Sequence, residues 1–358
     1  MRYRDISFSL LQSYEISIMY SPISIVNFLT IFVKKYFTMK RFLSLLAFVV
    51  ILNGCDDGNL IQEDINFQDI ATASCNVNDI IFKLKEKEAL LLEIPRSSFV
   101  NEPSLVDVPS TIDINNSNRV VYRFYNGVVS NNNICETIAP ASPTVTDQWN
   151  ATAGKIQIFT TAIKTLNQTE NSTRISGYNH TIVFKNVTFA TSNGTQVYET
   201  FPFGDYVTSA TPLPFLFDKT VEKCSSSNVV YNYTSSEALT LDIEPSLIVN
   251  TVTALNNPRT GIIGTTSNKV TYRLFTGAPL TGDYFCGATT PAAPLVNQQW
   301  SAVSGETNIS GIVEVTTTTN GPTAFKHTIV LKKVTFKRGN STFLLGDNYV
   351  YGELLTTN

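Results

Sequence analysis

The chain has 358 residues, a net charge of −3 and only 15% charged residues, against about a quarter in an average soluble domain. Six basic and two acidic residues precede Cys55, leaving 20 basic and 27 acidic residues, about −7, in the remainder. That remainder lacks the basic face of a nucleic-acid binder, and it holds no 3.6-residue apolar repeat sustained over three turns, which excludes a helical bundle.

Residues 1–38 contain an apolar patch, Ile16–Val33, broken by Ser21-Pro22 and Asn27. As a membrane span it is poor, and we read 1–38 as an extension upstream of the working start. From Met39 the chain reads MKRFLSLLAFVVILNGC, a basic pair, an apolar run over Phe42–Leu52 and then Leu52-Asn53-Gly54-Cys55. This is the three-part layout of a secretory signal over residues 39–54. With Leu at −3, Gly at −1 and Cys at +1, its end resembles the lipobox of bacterial lipoproteins; Asn53 at −2 departs from the family pattern. The resemblance covers the signal alone. It implies removal of everything before Cys55, acylation of the Cys55 thiol, and attachment to a membrane of the cell envelope. The acidic residues after Cys55 resemble the surface-export signals of some Gram-negative lipoproteins, so the outer membrane is expected, while Asp56 at +2 resembles the inner-membrane retention signal of others. The competing reading is a transmembrane anchor in which Cys55 is an ordinary thiol. Residues 55–74 follow as an acidic tether without pattern, able to extend roughly 60 Å.

Beyond the tether one stretch occurs twice. Cys135–Trp149 (CETIAPASPTVTDQW) and Cys286–Trp300 (CGATTPAAPLVNQQW) align without a gap. The match extends to Glu88–Ile94 and Glu237–Ile243, to Asn118–Gly127 and Asn268–Gly277, and to His180–Phe189 and His327–Phe336. Chance does not place Cys, Pro and Trp in the same frame twice, so the chain carries a duplicated domain, residues 75–206 and 224–358, joined by a linker over 207–223. Each copy is long enough to bury its own core. Copy one has a longer polar stretch, Thr161–Gly177, where copy two turns at Asn320–Pro322, and that difference marks a place for a ligand-contacting loop.

The periodicity within each copy is two. Leu90, Leu92 and Ile94 share a face, as do Val120, Tyr122 and Phe124, and copy two repeats both sets. After each His the phase slips, at Lys185-Asn186 and again at Lys332-Lys333, as a β-bulge would require. The expected fold is all-β: two tandem sandwiches, immunoglobulin-like or similar.

Four cysteines remain, with three possible pairings. Duplication favours one bridge in each copy, Cys75–Cys135 and Cys224–Cys286, in an exported protein. No C-x2-C spacing points to a metal, and no cofactor is expected. Trp149 and Trp300 are candidates for sugar-stacking platforms, or for core residues packed on the disulfides. Arg123 and Arg273 are candidates for binding acidic ligand groups, or for pairing with a carboxylate across the sheet. His180 and His327 read as strand-initiating residues with local hydrogen bonds, since no nucleophile–base pair forms around them. Asp205 and Asp347 read as turn residues rather than calcium ligands.

The function expected is binding or adhesion by an exported, lipid-anchored protein, on a glycan, a protein or a surface. The alternative is an envelope-assembly subunit that pairs through edge strands. A hydrolase comes third, because one His per copy supplies no acid–base pair.

Overall fold

A computed structural model describes residues 65–357; the signal segment, Cys55 and most of the acidic tether lie outside the described residues. The first repeat runs β1 (Ala73–Ser74), β2 (Ile80–Lys85), β3 (Glu88–Glu93), β4 (Ser110–Asp113), β5 (Arg119–Tyr125), helix α1 (Asn131–Cys135), β6 (Val145–Asn167), β7 (Ser172–Thr191) and β8 (Gly194–Ser209). The second runs β9 (Thr220–Lys223), β10 (Val229–Tyr233), β11 (Glu237–Asp242), β12 (Arg259–Ile262), β13 (Lys269–Thr276), helix α2 (Asp283–Cys286), β14 (Leu295–Ala302), β15 (Ile312–Thr319), β16 (Ala324–Lys332), β17 (Thr335–Arg338), β18 (Ser341–Leu344) and β19 (Tyr349–Thr357). The described chain is nearly all-β, its helices confined to short turns, and each repeat is a sheet curled into two layers, a β-sandwich.

The curl comes from strands that serve both layers. Strand β6 pairs with β5 over Val145–Asn150 and with β4 over Lys155–Ile158. Between these pairings Gly154 sits at φ +126°, where a Cβ would lie 2.8 Å from the Val187 Cα. Only glycine allows the two chains to cross so closely. Strand β7 changes its inward face at Asn186, φ +49°, so that Ile182, Phe184, Val187 and Phe189 are all fully buried despite their mixed parity. In the second repeat the same slip falls at Lys333, φ +48°, and there it breaks the strand into β16 and β17. Ile329, Leu331, Val334 and Phe336 are buried around it in the same way.

Opposed residues of an antiparallel pair share a face, which fixes where the tryptophans go. Trp149 opposes Tyr122, and Tyr122 opposes the fully buried Leu90. Trp149, only 7% exposed, packs edge-on against the rings of Tyr122 and Phe124 at 5.3 and 5.4 Å. Trp300, 4% exposed, opposes Tyr272 and packs on Phe343 at 5.1 Å. The disulfides belong to the other face. Cys75 clusters with Phe82, Ala89, Leu91, Val121 and Tyr125, which alternate with the core-facing residues, beneath Ile134 of α1. Ala238, Phe275, Leu280 and Tyr284 form the matching cluster beneath α2. The expectation that the tryptophans pack on the bridges is therefore corrected: strand alternation puts sulfur and indole on opposite sides of one sheet.

The bridges are Cys75–Cys135 and Cys224–Cys286, at sequence separations of 60 and 62. Each ties the leading segment of a repeat to its short helix, and a closed loop of that length contributes about 4 kcal/mol. Two such bridges place the folded chain in an oxidising, extracytoplasmic compartment.

The stretch between the repeats is shorter than 207–223 and is built into the fold, because β8 continues to Ser209 and β9 begins at Thr220. Phe215 within it stacks on Tyr272 at 4.4 Å and touches Phe336 and Phe343. Its φ of +51° is a rare conformation for an aromatic residue. The backbone N–H groups of Phe215 and Leu216 hold it there by donating to the two carboxylate oxygens of Glu237 at 3.0 and 2.8 Å. Glu237 is 1% exposed and also accepts from the Tyr272 hydroxyl at 2.7 Å. A buried carboxylate with three donors is well satisfied.

Candidate functional site

The motifs shared by the repeats turn out to be cross-strand pairs. The Glu of each Glu-Ala-Leu stretch accepts from the Tyr of the next strand, Glu88 from Tyr122 at 2.8 Å and Glu237 from Tyr272 at 2.7 Å. Arg123 Nε donates to Gln148 Oε1, and Arg273 Nε to Gln299 Oε1, both at 2.8 Å. This corrects the expected carboxylate partner: the neighbour is the Gln that precedes each Trp, so Arg and Gln-Trp read as one unit. Neither arginine lines the cleft between the repeats.

His180 and His327 are both 0% exposed, and neither begins a strand. His180 lies inside β7, with Nδ1 2.9 Å from Thr160 Oγ1 and Nε2 3.0 Å from Thr208 Oγ1. Thr208 in turn donates to Asn101 Oδ1 at 2.6 Å. His327 has the same environment, with Thr317 at 2.8 Å, Thr356 at 2.9 Å and Asn250 at 3.3 Å. These bonds join three strands and a loop, so the local role expected from sequence is replaced by a long-range one. Burial holds both imidazoles below their ordinary pKa, and Arg259 lowers His327 further. A neutral imidazole with both nitrogens taken and no access to solvent is a structural tie, not a base.

Thr161–Gly177 is mostly strand rather than loop. The ends of β6 and β7 pair as far as Asn167–Ser172 and form an arm that reaches the second repeat. The Tyr178 hydroxyl lies 3.0 Å from Ser341 Oγ, Thr173 Oγ1 accepts from Leu344 N at 2.8 Å, and Arg174 Nη1 donates to Leu344 O at 3.3 Å. At the tip Asn171 donates to Asp347 Oδ1 at 3.1 Å, and Asp347 N donates to Glu170 O at 2.9 Å. Ile175 and Tyr178 are buried in the core of the second repeat. Asp347 is thereby part of the join between repeats, while its counterpart Asp205 accepts from Thr181 Oγ1 at 2.5 Å.

Beside this join lies a cleft of about 530 Å³, lined by both repeats and by the stretch between them. The first repeat contributes Asn101, Arg174, Ile175 and Tyr178; the connecting stretch contributes Ala210–Pro214; the second repeat contributes Leu274, Asn297, Gln298, Trp300, Arg338 and Phe343. The volume falls within the range of small-ligand sites, and so does the mixture of an apolar floor with a few polar groups. The guanidinium of Arg174 lies over the rings of Phe215 and Phe343, at 4.8 and 5.5 Å, and that of Arg338 over Trp300 at 5.5 Å. Burial lowers the Arg174 pKa against the pull of Tyr349, Glu170 and Tyr272, yet a guanidinium stays charged at any physiological pH. The Tyr349 phenol is pushed up to about 12, chiefly by burial.

Of the four residues singled out from sequence as ligand contacts, Trp300 alone lines this cleft. Trp149, Arg123 and Arg273 do not. Arg174, Arg338, Tyr178 and the amides were not legible as site residues, since the duplication argument directs attention to what the copies share. The one available signal was the longer Thr161–Gly177 stretch, which contains Arg174. Among the described residues no group of His, Cys, Asp or Glu is arranged to hold a metal. No family model matches the chain, and searches of curated proteins and of solved structures find no match to it either.

Proposed function

We propose that this is an exported, lipid-anchored binding module of the cell envelope, in which two β-sandwiches fixed to each other take a ligand in the cleft between them. The observation that carries the reading is that cleft, whose walls come from both repeats and whose shape depends on elements the repeats do not share. Anchoring through Cys55, and placement at the outer membrane, rest on the lipobox resemblance and on the export that the disulfides require. The test uses the full chain in a non-ionic detergent, labelled and added to isolated envelopes and to cell-surface material. Asn297→Trp, at an exposed cleft position, should abolish that binding without unfolding the protein. Equal binding by the filled variant would remove the cleft from consideration.

A specific observation also favours the assembly reading. Strand β8, sixteen residues long, is the outer strand of its sheet and among the described residues pairs only with β7, an edge that a partner strand can extend. Pro202 within it, and Gly204 at φ +113°, interrupt that edge, so we rank it second.

A further inference from the structure

Four side chains of the cleft present donors to a ligand. Gln298 Oε1 accepts from the Trp300 indole at 3.1 Å, and since that indole can only donate, the Gln298 amide nitrogen is the group left to a ligand. Asn101 Oδ1 is taken by Thr208, which again leaves the NH2. Arg174 uses Nη1 on two backbone carbonyls, while its Nε and Nη2 have no acceptor among the described residues. The Arg338 guanidinium has, among the described residues, only the face of Trp300. Among the described residues no carboxylate lies within 4.0 Å of either guanidinium, and no Asp or Glu lines the cleft. Two acids come near without pairing: Glu170 on the arm acts on Arg174 from a distance, and Glu102 is held by the Asn340 backbone N–H at 3.1 Å. On a chain with net charge −3, two arginines without an ion pair among the described residues lie in one recess, whose low-dielectric walls strengthen their attraction for an anion.

We propose that the cleft binds an anionic saccharide, its carboxylate or sulfate held by Arg174 and Arg338 and its hydroxyls by the amides of Asn101, Asn297 and Gln298. The proposal rests on the binding-module reading above and adds the ligand class. Guanidinium donors match the geometry of an oxyanion. Amides spread around the rim suit a ligand with hydroxyls on several sides. A peptide would seek an unpaired strand edge, and the wall at Ala210–Pro214 cannot supply one, because Pro212 and Pro214 have no N–H.

The test is an array carrying uronate, sialylated, sulfated and neutral oligosaccharides, probed with the full chain in non-ionic detergent and followed by titration calorimetry on the best binder. Acidic glycans should bind and neutral ones should not, and added salt should weaken binding. Arg338→Gln, at an exposed position, should weaken binding by about tenfold or more, as expected for the loss of a charged hydrogen bond. Arg174→Gln should do the same, and its thermal unfolding separates lost binding from loss of the arm. Whether uronate or sulfate binds more tightly identifies the oxyanion. Equal binding of neutral glycans, or acidic binding unmoved by both substitutions, overturns the anionic assignment and leaves the module reading standing. An empty array combined with envelope binding that Asn297→Trp abolishes overturns the saccharide in the same way. An empty array with no cleft-dependent envelope binding brings down both.

Discussion

The two repeats agree in what holds each of them together and differ in what holds them to each other. Both have the Glu–Tyr pair, the Arg–Gln pair, the buried His between two threonines and an Asn, and the disulfide over a small outer cluster. Only the first extends β6 and β7 into an arm. Each repeat receives an aromatic from the segment before it, Phe67 edge-on to Tyr122 at 5.9 Å and Phe215 stacked on Tyr272 at 4.4 Å, but only Phe215 lies in the stretch that joins the repeats. Where the first repeat crosses between layers at Gly154 alone, the second inserts a loop closed by the Glu306–Ser310 bridge. The difference teaches that duplication supplied two stable units, and that the unshared parts join them and shape the cleft.

The comparison can be broken most forcefully at the bridges. Replacing Cys224 and Cys286 with Ala should cost about 2–5 kcal/mol, read by denaturant titration, and the Cys75–Cys135 variant should cost about as much, since the two closed loops are of similar length. A loss well below that range in either variant, or losses that differ severalfold between the two, would show that the bridges are not equivalent devices.

Next comes the plug. Phe215→Ala removes a ring stacked on Tyr272 and leaves a cavity, at a cost of about 3 kcal/mol, and denaturant titration should show it. The matched pair Tyr272→Phe and Tyr122→Phe sharpens the contrast. Glu237 is buried whereas Glu88 is partly exposed, so losing the phenol donor should cost about 1–3 kcal/mol in the second repeat and measurably less in the first. Equal losses would mean that burial of Glu237 does not matter.

The mildest effect is the one both repeats share. The unfolded chain protonates its histidines near pH 6.5, whereas burial keeps His180 and His327 neutral to lower pH. The stability they confer is complete above that ordinary value and declines as the pH falls toward the folded pKa values. His180→Gln and His327→Gln should each flatten part of that decline in stability measured between about pH 7 and 5; an unchanged slope in both would show that the histidines do not titrate with unfolding.

Sequence and structure meet most closely at the shared residues. Period two in Leu90–Leu92 and Val120–Phe124, and the slips at Asn186 and Lys333, could be read directly, because strand parity is a local property. The tryptophans were placed against the disulfides since both are rare and near in sequence; parity across two pairings, Leu90 with Tyr122 with Trp149, puts them on the opposite face. In sequence the arm reads as a polar loop, because its contacts belong to the other repeat. Tyr178 meets Ser341, 163 residues away, and Ile175 is buried in a cluster made of second-repeat residues, which no local pattern reveals. The cleft was hidden for the same reason.

The central claim is that the arm and the plug make one cooperative body out of two similar domains. Calorimetric unfolding of the full chain, beside a variant whose residues 161–177 are replaced by the short turn of the second repeat, tests it most directly. The parent should unfold in a single transition whose calorimetric and van't Hoff enthalpies agree, and the variant in two. Two transitions in the parent, or one in the variant, would contradict it.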